Sequence, residues 1–204
     1  MTRVLDDHLR GCTFGQLLSN GGDIHITLNG NFHHHHWHSA SSCPAFYDPT
    51  YFIPKVQANN WPLRQQHVEV PDKAIDQCEA SYEEADGNKQ KATLGCFDNP
   101  GIMALICHHD IPLFFANIDM PGEQQKYSIA LLEHLFSHLP VTATVIALYD
   151  IGCILTCSLD KFEILNNEIV CHICFATTAM HAYGHKWACQ LIYNPHITTG
   201  LDAD

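Results

Sequence analysis

Asp150 closes the apolar run "ATVIALYD", and a lone carboxylate at the end of a buried strand stands where sheets open onto reaction sites. Three further groups carry metal-binding chemistry. Cys78, Cys96, Cys107 and His109 form a candidate Cys₃His set, which would make a closed, structural Zn²⁺ site. Because they lack paired CxxC spacing, reduced buried cysteines are an equal reading. His181, His185 and Cys189 recur at i, i+4 and i+8, so one helical face can present all three to a second metal. The competing reading is hydrogen-bonded residues packed beneath the strand that ends in Asp150. The stretch "DIHITLNGNFHHHHWHSA" holds six histidines, five of them within six positions. Consecutive histidines on an extended chain point to alternate sides, so at most two share an ion, and a solvated loop is the plainer expectation. Cys153 and Cys157, one turn apart, read as core, as do Cys171 and Cys174 of "CHIC".

These side chains need elements to hold them. Ile24, Ile26 and Leu28 alternate with Asp23, His25, Thr27 and Asn29, which predicts a strand with one buried face and a turn beginning at Asn29-Gly30. From Cys43 to about Asn99 the composition shifts to Pro, Asn, Gln and charge, as in an insert, with a helix expected within "PDKAIDQCEASYEEADGNKQK". "GIMALIC" and "IPLFFANI", separated by "HHD", read as a hairpin. A helix follows, with Ile129, Leu132, Leu135, Phe136 and Leu139 at helical spacing and Pro140 ending it. "ATVIALYD" is then a central strand, "IGCILTCSLDKF" a helix, "IVCHICFATTA" a strand and "HAYGHKWACQ" a short helix or turn.

That order predicts an α/β domain with a mixed sheet flanked by helices, its first three strands antiparallel and its later ones joined by helical crossovers. It fits a ribonuclease-H-like fold. In that architecture carboxylates on the first and fourth strands and on a late helix hold two divalent ions, one activating the attacking oxygen and one neutralising the leaving oxygen. Mg²⁺ or Mn²⁺ there requires hard, charged oxygen ligands.

The segments "GCTFGQLLSNGGDIH", "NGNFHHHH", "CPAFYDPTYFIPK", "DQCEASYEEADGNKQK", "GIMALICHHDIPLFFANIDMPGEQQKYSIALLEHLF", "LYDIGC" and "HAYGHKWACQLIYNP" resemble the Kyakuja-Dileera-Zisupton (KDZ) transposases, typical of fungal genomes. The resemblance runs over almost the whole chain. It implies a DDE-type core with a cysteine-containing insert after the first strand, acting on DNA. The second catalytic carboxylate of such a core falls on Asp150. The first belongs to a D-G-N-F motif, which here reads Asn29-Gly30-Asn31-Phe32, so the aspartate is replaced. The third belongs to a D-G-E-G motif shortly after "QLIYNP", and "ITTGLDAD" precedes it; Asp202 and Asp204 are not expected to substitute. Asp23 shares the face of Asn29, but six residues of strand span roughly 20 Å, beyond one coordination shell. The expectation is a degenerate transposase core without catalytic activity. Two alternatives stay open: a retained non-catalytic module binding metal, nucleic acid or protein, and an active enzyme known from a truncated gene.

With 204 residues, 46% of them hydrophobic, the chain can bury one core of ordinary size. The expected division is residues 1–42 as the N-terminal segment and first core strand, 43–99 as an insert, and 100–204 as the remainder of the core. Ten cysteines in a chain of this length suit a reducing compartment. No apolar run spans a bilayer and "MTRVLDDHLRGC" lacks the core of a signal peptide, so an intracellular protein is expected, nuclear if it acts on DNA, with no membrane partner and a homo-oligomer as an option. The formal net charge of −12 supplies no sequence-wide attraction to nucleic acid.

Overall fold

The alternation around residue 26 becomes strand β1 (Ile24–Asn31), with Ile26 and Leu28 buried beneath the sheet and Asn29 exposed on its other face. The computed structural model describes residues 13–40, 51–59, 97–119, 124–198 and 201. The turn expected at Asn29-Gly30 does not form. Gly30 and Asn31 pair with Met103 and Ile102, so ladder hydrogen bonds carry the strand past the turn-prone dipeptide. The helix expected within the insert lies outside the described residues.

His36–Trp37 (β2) and Phe97–Asn99 (β3) make a separate two-stranded ribbon. Gly101–Cys107 (β4) and Pro112–Ile118 (β5) form the anticipated hairpin around residues 108–111. Val145–Tyr149 (β6) and Ile173–Ala176 (β7) complete a five-stranded sheet of order β5-β4-β1-β6-β7. The pairs β1/β4 and β4/β5 are antiparallel, whereas β6 runs parallel to β1 and β7 parallel to β6. Pro112, which lacks an amide hydrogen, opens an edge strand, where the missing donor costs least. That edge is covered: the amide of Ile53 donates to Phe115 O at 2.8 Å and the amide of Phe115 to Tyr51 O at 2.7 Å.

Helix α1 (Lys55–Asn59) packs on α2 (Gln125–Phe136), which in turn covers β4 and β5. Leu131, Leu132 and Leu135 are fully enclosed, and even Lys126 and Ser128 of α2 are buried, so this helix is covered on more sides than its apolar spacing alone implied. After β6 come α3 (Gly152–Lys161) and the single turn α4 (Asn167–Val170). The strand expected over "IVCHICFATTA" is therefore shorter: the Asn166 side chain accepts from the Glu168 amide at 3.1 Å and caps a helical turn where apolar content suggested β structure. Short helices α5 (Ala179–Ala182) and α6 (Trp187–Tyr193) follow β7. Among the described residues no helix is long and apolar enough to cross a membrane.

Burying the Lys126 ammonium requires a partner, and the end of β5 provides it. Lys126 Nζ lies 3.1 Å from Asp119 Oδ1 and 3.1 Å from Asn59 Oδ1, while Asn59 Nδ2 donates to Asp119 Oδ2 at 2.9 Å. The Tyr127 hydroxyl also donates to Asp119 and accepts the Asp119 amide at 2.9 Å. Burial pushes the Asp119 carboxyl upward, but hydrogen bonds from Tyr127, Asn59 and Lys126, with the lysine charge, outweigh it and hold the pKa at about 2. A depressed carboxyl contributes stability above its ordinary pKa and loses it as pH falls through the folded value. Between pH 4 and 2 the protein is expected to lose about 1–2 kcal/mol through this group, discounted for its partial exposure. Urea unfolding at stepped pH checks this, because Asp119→Asn should flatten the slope in that window.

Candidate functional site

Asp150 follows directly on β6, so the expected placement of a carboxylate at the mouth of the central strand is met. Parallel pairing of β1 and β6 runs to Leu28 opposite Tyr149. Asn29 and Asp150 are the next residue on each side of that last pair, Asn29 still within β1 and Asp150 just past the end of β6. The Asp150 carboxylate is held on both sides: Oδ2 lies 2.8 Å from His181 Nδ1 and Oδ1 lies 3.5 Å from His185 Nε2. The Asp150 side chain is 16% exposed and that of His185 only 8%, so the pair is largely withdrawn from water.

The single helical face expected to carry His181, His185 and Cys189 is not formed. Gly184 falls where the chain leaves α5, its amide donating to His181 O at 2.9 Å, and residues 183–186 separate the two helices. His181 consequently parts from the other two. His181 turns to Asp150, and His185 and Cys189 meet Cys153 of α3 instead. His185 Nδ1 stands 3.5 Å from Cys153 Sγ, and the ligand atoms of Cys153, His185 and Cys189 all lie within 4.8 Å of one another. Among the described residues this is the group of three or more Cys, His, Asp or Glu side chains able to hold a metal ion. Cys153, read from the sequence as core beside Cys157, is buried but belongs to this cluster, while Cys157 is exposed. The signal that could have found it is its position: the second residue of a helix that begins just beyond the strand-end carboxylate shares the mouth of the sheet with Asp150.

The other candidate zinc set is met only in part by the described residues. Cys107 Sγ lies 3.8 Å from His109 Nδ1 at the β4–β5 turn, with Cys107 buried and His109 exposed; Cys78 and Cys96 lie outside the described residues. Cys171 is exposed and Cys174 partly buried, so neither is the closed core residue expected of "CHIC".

The histidine run makes polar and aromatic contacts within the ribbon. His35 stacks on Phe97 with ring centroids 4.3 Å apart and bonds through Nδ1 to Pro100 O at 2.9 Å. His36 Nδ1 lies 3.1 Å from Asp98 Oδ2, and His38 also reaches the Asp98 carboxylate. The slight burial of Asp98 works upward, but hydrogen bonds from His38 and His36 and their charge keep the carboxyl below its usual range. The imidazoles thus tie β2 to β3 from the solvent side.

Asp23, at the opposite end of β1 from Asn29, makes a structural clamp. Its carboxylate accepts from the amides of Gly15, Gln16 and Thr144, each at 2.9 Å. The family description that matches the chain is Kyakuja-Dileera-Zisupton transposase, over residues 23–202. No curated protein and no solved structure matches.

Proposed function

Since the chain belongs to the Kyakuja-Dileera-Zisupton transposase family, we propose that it is a degenerate DDE-type transposase core on a ribonuclease-H-like fold, related to enzymes of DNA cleavage and strand transfer but without their catalysis. The fold reading is supported by the sheet order β5-β4-β1-β6-β7, with an antiparallel three-strand portion followed by parallel strands reached through helices. Residues 43–99 then correspond to the insert after the first strand.

The observation that supports the loss of catalysis is that Asn29 and Asp150 each follow the last β1–β6 pair, Leu28 and Tyr149, so the end of the sheet carries an amide where a second carboxylate would be needed. Mg²⁺ and Mn²⁺ take charged, hard oxygens, and a neutral amide oxygen does not offset their charge. The remaining carboxylate has its oxygens directed at two imidazoles, 2.8 and 3.5 Å away. This donor set does not fit a two-ion centre. Purified protein is expected to leave supercoiled DNA uncut with either Mg²⁺ or Mn²⁺. Metal-dependent nicking that disappears in Asp150→Ala would overturn this reading.

The cysteine–histidine cluster beside Asp150 favours a second reading, a retained metal-binding module that engages nucleic acid or protein. With a net charge of −12, DNA contact in either case depends on local groups such as the histidine-bearing ribbon. Nuclear location and self-association belong to the same reading of a DNA-acting core.

A further inference from the structure

We propose that Cys153, His185 and Cys189 bind one Zn²⁺ and that Asp150 is the outer-sphere carboxylate positioning the zinc-binding histidine. The proposal stands on the geometry of these four side chains and is independent of whether any DNA chemistry survives.

Two thiolates and an imidazole are soft and borderline donors, the set that selects zinc over magnesium. In a tetrahedral site with Zn–S near 2.3 Å and Zn–N near 2.0 Å, sulfur and nitrogen ligands stand about 3.5 Å apart. Cys153 Sγ and His185 Nδ1 are separated by 3.5 Å, the edge such a tetrahedron requires. Cys189, from helix α6, brings its sulfur within 4.8 Å of both. Helix α3 supplies the first ligand, the joint between α5 and α6 the second, and α6 the third, so one ion would pin the C-terminal helices to the mouth of the sheet.

The histidine uses its two nitrogens for different tasks. Nδ1 faces the sulfur atoms, and Nε2 points the other way, 3.5 Å from Asp150 Oδ1. A metal-bound histidine ordinarily gives its second N–H to a carboxylate, which fixes the tautomer and makes the ring a better ligand. Asp150 meets that description, and His181 at 2.8 Å steadies its second oxygen. The carboxylate that the family resemblance casts as a magnesium ligand is thereby engaged as a zinc-positioning group.

The test uses the full chain purified under reducing conditions. Zinc content by mass spectrometry, and affinity by competition with a chromophoric chelator, are measured for the parent and for Cys189→Ser, His185→Gln, Asp150→Asn and His181→Ala. Co²⁺ replacement should show thiolate-to-metal charge transfer in the parent, diminished in Cys189→Ser. Loss of one equivalent of zinc in Cys189→Ser and His185→Gln is expected, with folding checked by circular dichroism. Asp150→Asn should keep the zinc but bind it about 10- to 100-fold more weakly, and His181→Ala should change affinity far less. Unchanged zinc content and cobalt spectrum in Cys189→Ser would overturn the site and leave a thiol–imidazole hydrogen bond in its place. Parent-like affinity in Asp150→Asn would overturn the positioning role alone. Because Cys189 is only partly buried, its serine variant keeps the test informative even where a Cys153 variant does not fold.

Discussion

Gly101→Ala is expected to cost about 3 kcal/mol of folding stability, at the upper end of overpacking penalties. Gly101 opens β4 and is buried against the end of β1. A Cβ there would stand 2.7 Å from Asn31 O and 3.2 Å from Phe32 Cα. Both obstacles are backbone, so no side chain can rotate away; the strands themselves would have to part. They are paired here, Asn31 with Ile102, and parting them breaks ladder hydrogen bonds as well as packing. Gly152→Ala makes the comparison, since its Cβ would meet the Phe175 Cβ at 3.2 Å, which calls for a shift of only a few tenths of an ångström. A loss of about 1 kcal/mol is expected there. Thermal or urea unfolding of the two variants should therefore give clearly separated midpoints, and equal midpoints would contradict the argument. Because Asn31 lies two residues beyond Asn29 on the same strand, the Gly101 variant should also disturb the end of the sheet where Asp150 sits.

Asp23→Ala is expected to cost about 2 kcal/mol. Hydrogen bonds to a charged acceptor contribute roughly 1.5–3 kcal/mol each, reduced here because water can reach part of the cluster. The carboxylate binds amides from two separate stretches, Gly15 and Gln16 before β1 and Thr144 before β6. Thr144 Oγ1 reinforces the link, donating to Gln16 O at 2.7 Å and accepting the Asp23 amide at 3.0 Å. Asp23→Asn, which keeps a single acceptor oxygen, should lose about half as much. For a chain of this size 2 kcal/mol corresponds to about 4–8 °C in Tm. A change below 1 °C in Asp23→Ala would show that water replaces the clamp without penalty. The slight burial of Asp23 raises its carboxyl, but hydrogen bonds from Gly15, Thr144 and Gln16 bring it below the ordinary value. Its contribution is accordingly present above the usual carboxylate pKa and fades as pH falls below it, and the alanine variant should be less acid-sensitive than the parent.

Elements whose periodicity is local were legible in the residues. The alternation at Ile24, Ile26 and Leu28, the two apolar runs flanking "HHD", the spacing through α2 and the continuous run of β6 all correspond to observed elements. Each depends on which side chains recur every second or every third to fourth residue, and burial enforces that recurrence. Structure departs from local pattern where one local preference meets a stronger partner. Asn29-Gly30 favours a turn, but the β4 ladder is there to extend the strand. "IVCHIC" is apolar enough for a strand, but the Asn166 cap is closer at hand and turns its first half into a helix.

The candidate site divides in the same way. The place of Asp150 was legible because a carboxylate ending a fully apolar strand stands out against its neighbours. Cys153 was not. Its thiol reaches His185 across 32 positions of chain, a closeness that arises only when α3 and the α5–α6 joint pack at the same end of the sheet. The spacing of His181 to His185 does not place them on one helical face, because the chain leaves the helix at Gly184 between them.

The amino-acid sequence by itself determined the family and the order of the main strands and helices. It could do so because those properties reside in short patterns, each specified by neighbours a few positions apart. Only the tertiary structure decided which nitrogen of His185 faces sulfur and which faces Asp150. That choice depends on the packing of three helices around one strand end, and no spacing along the chain encodes it.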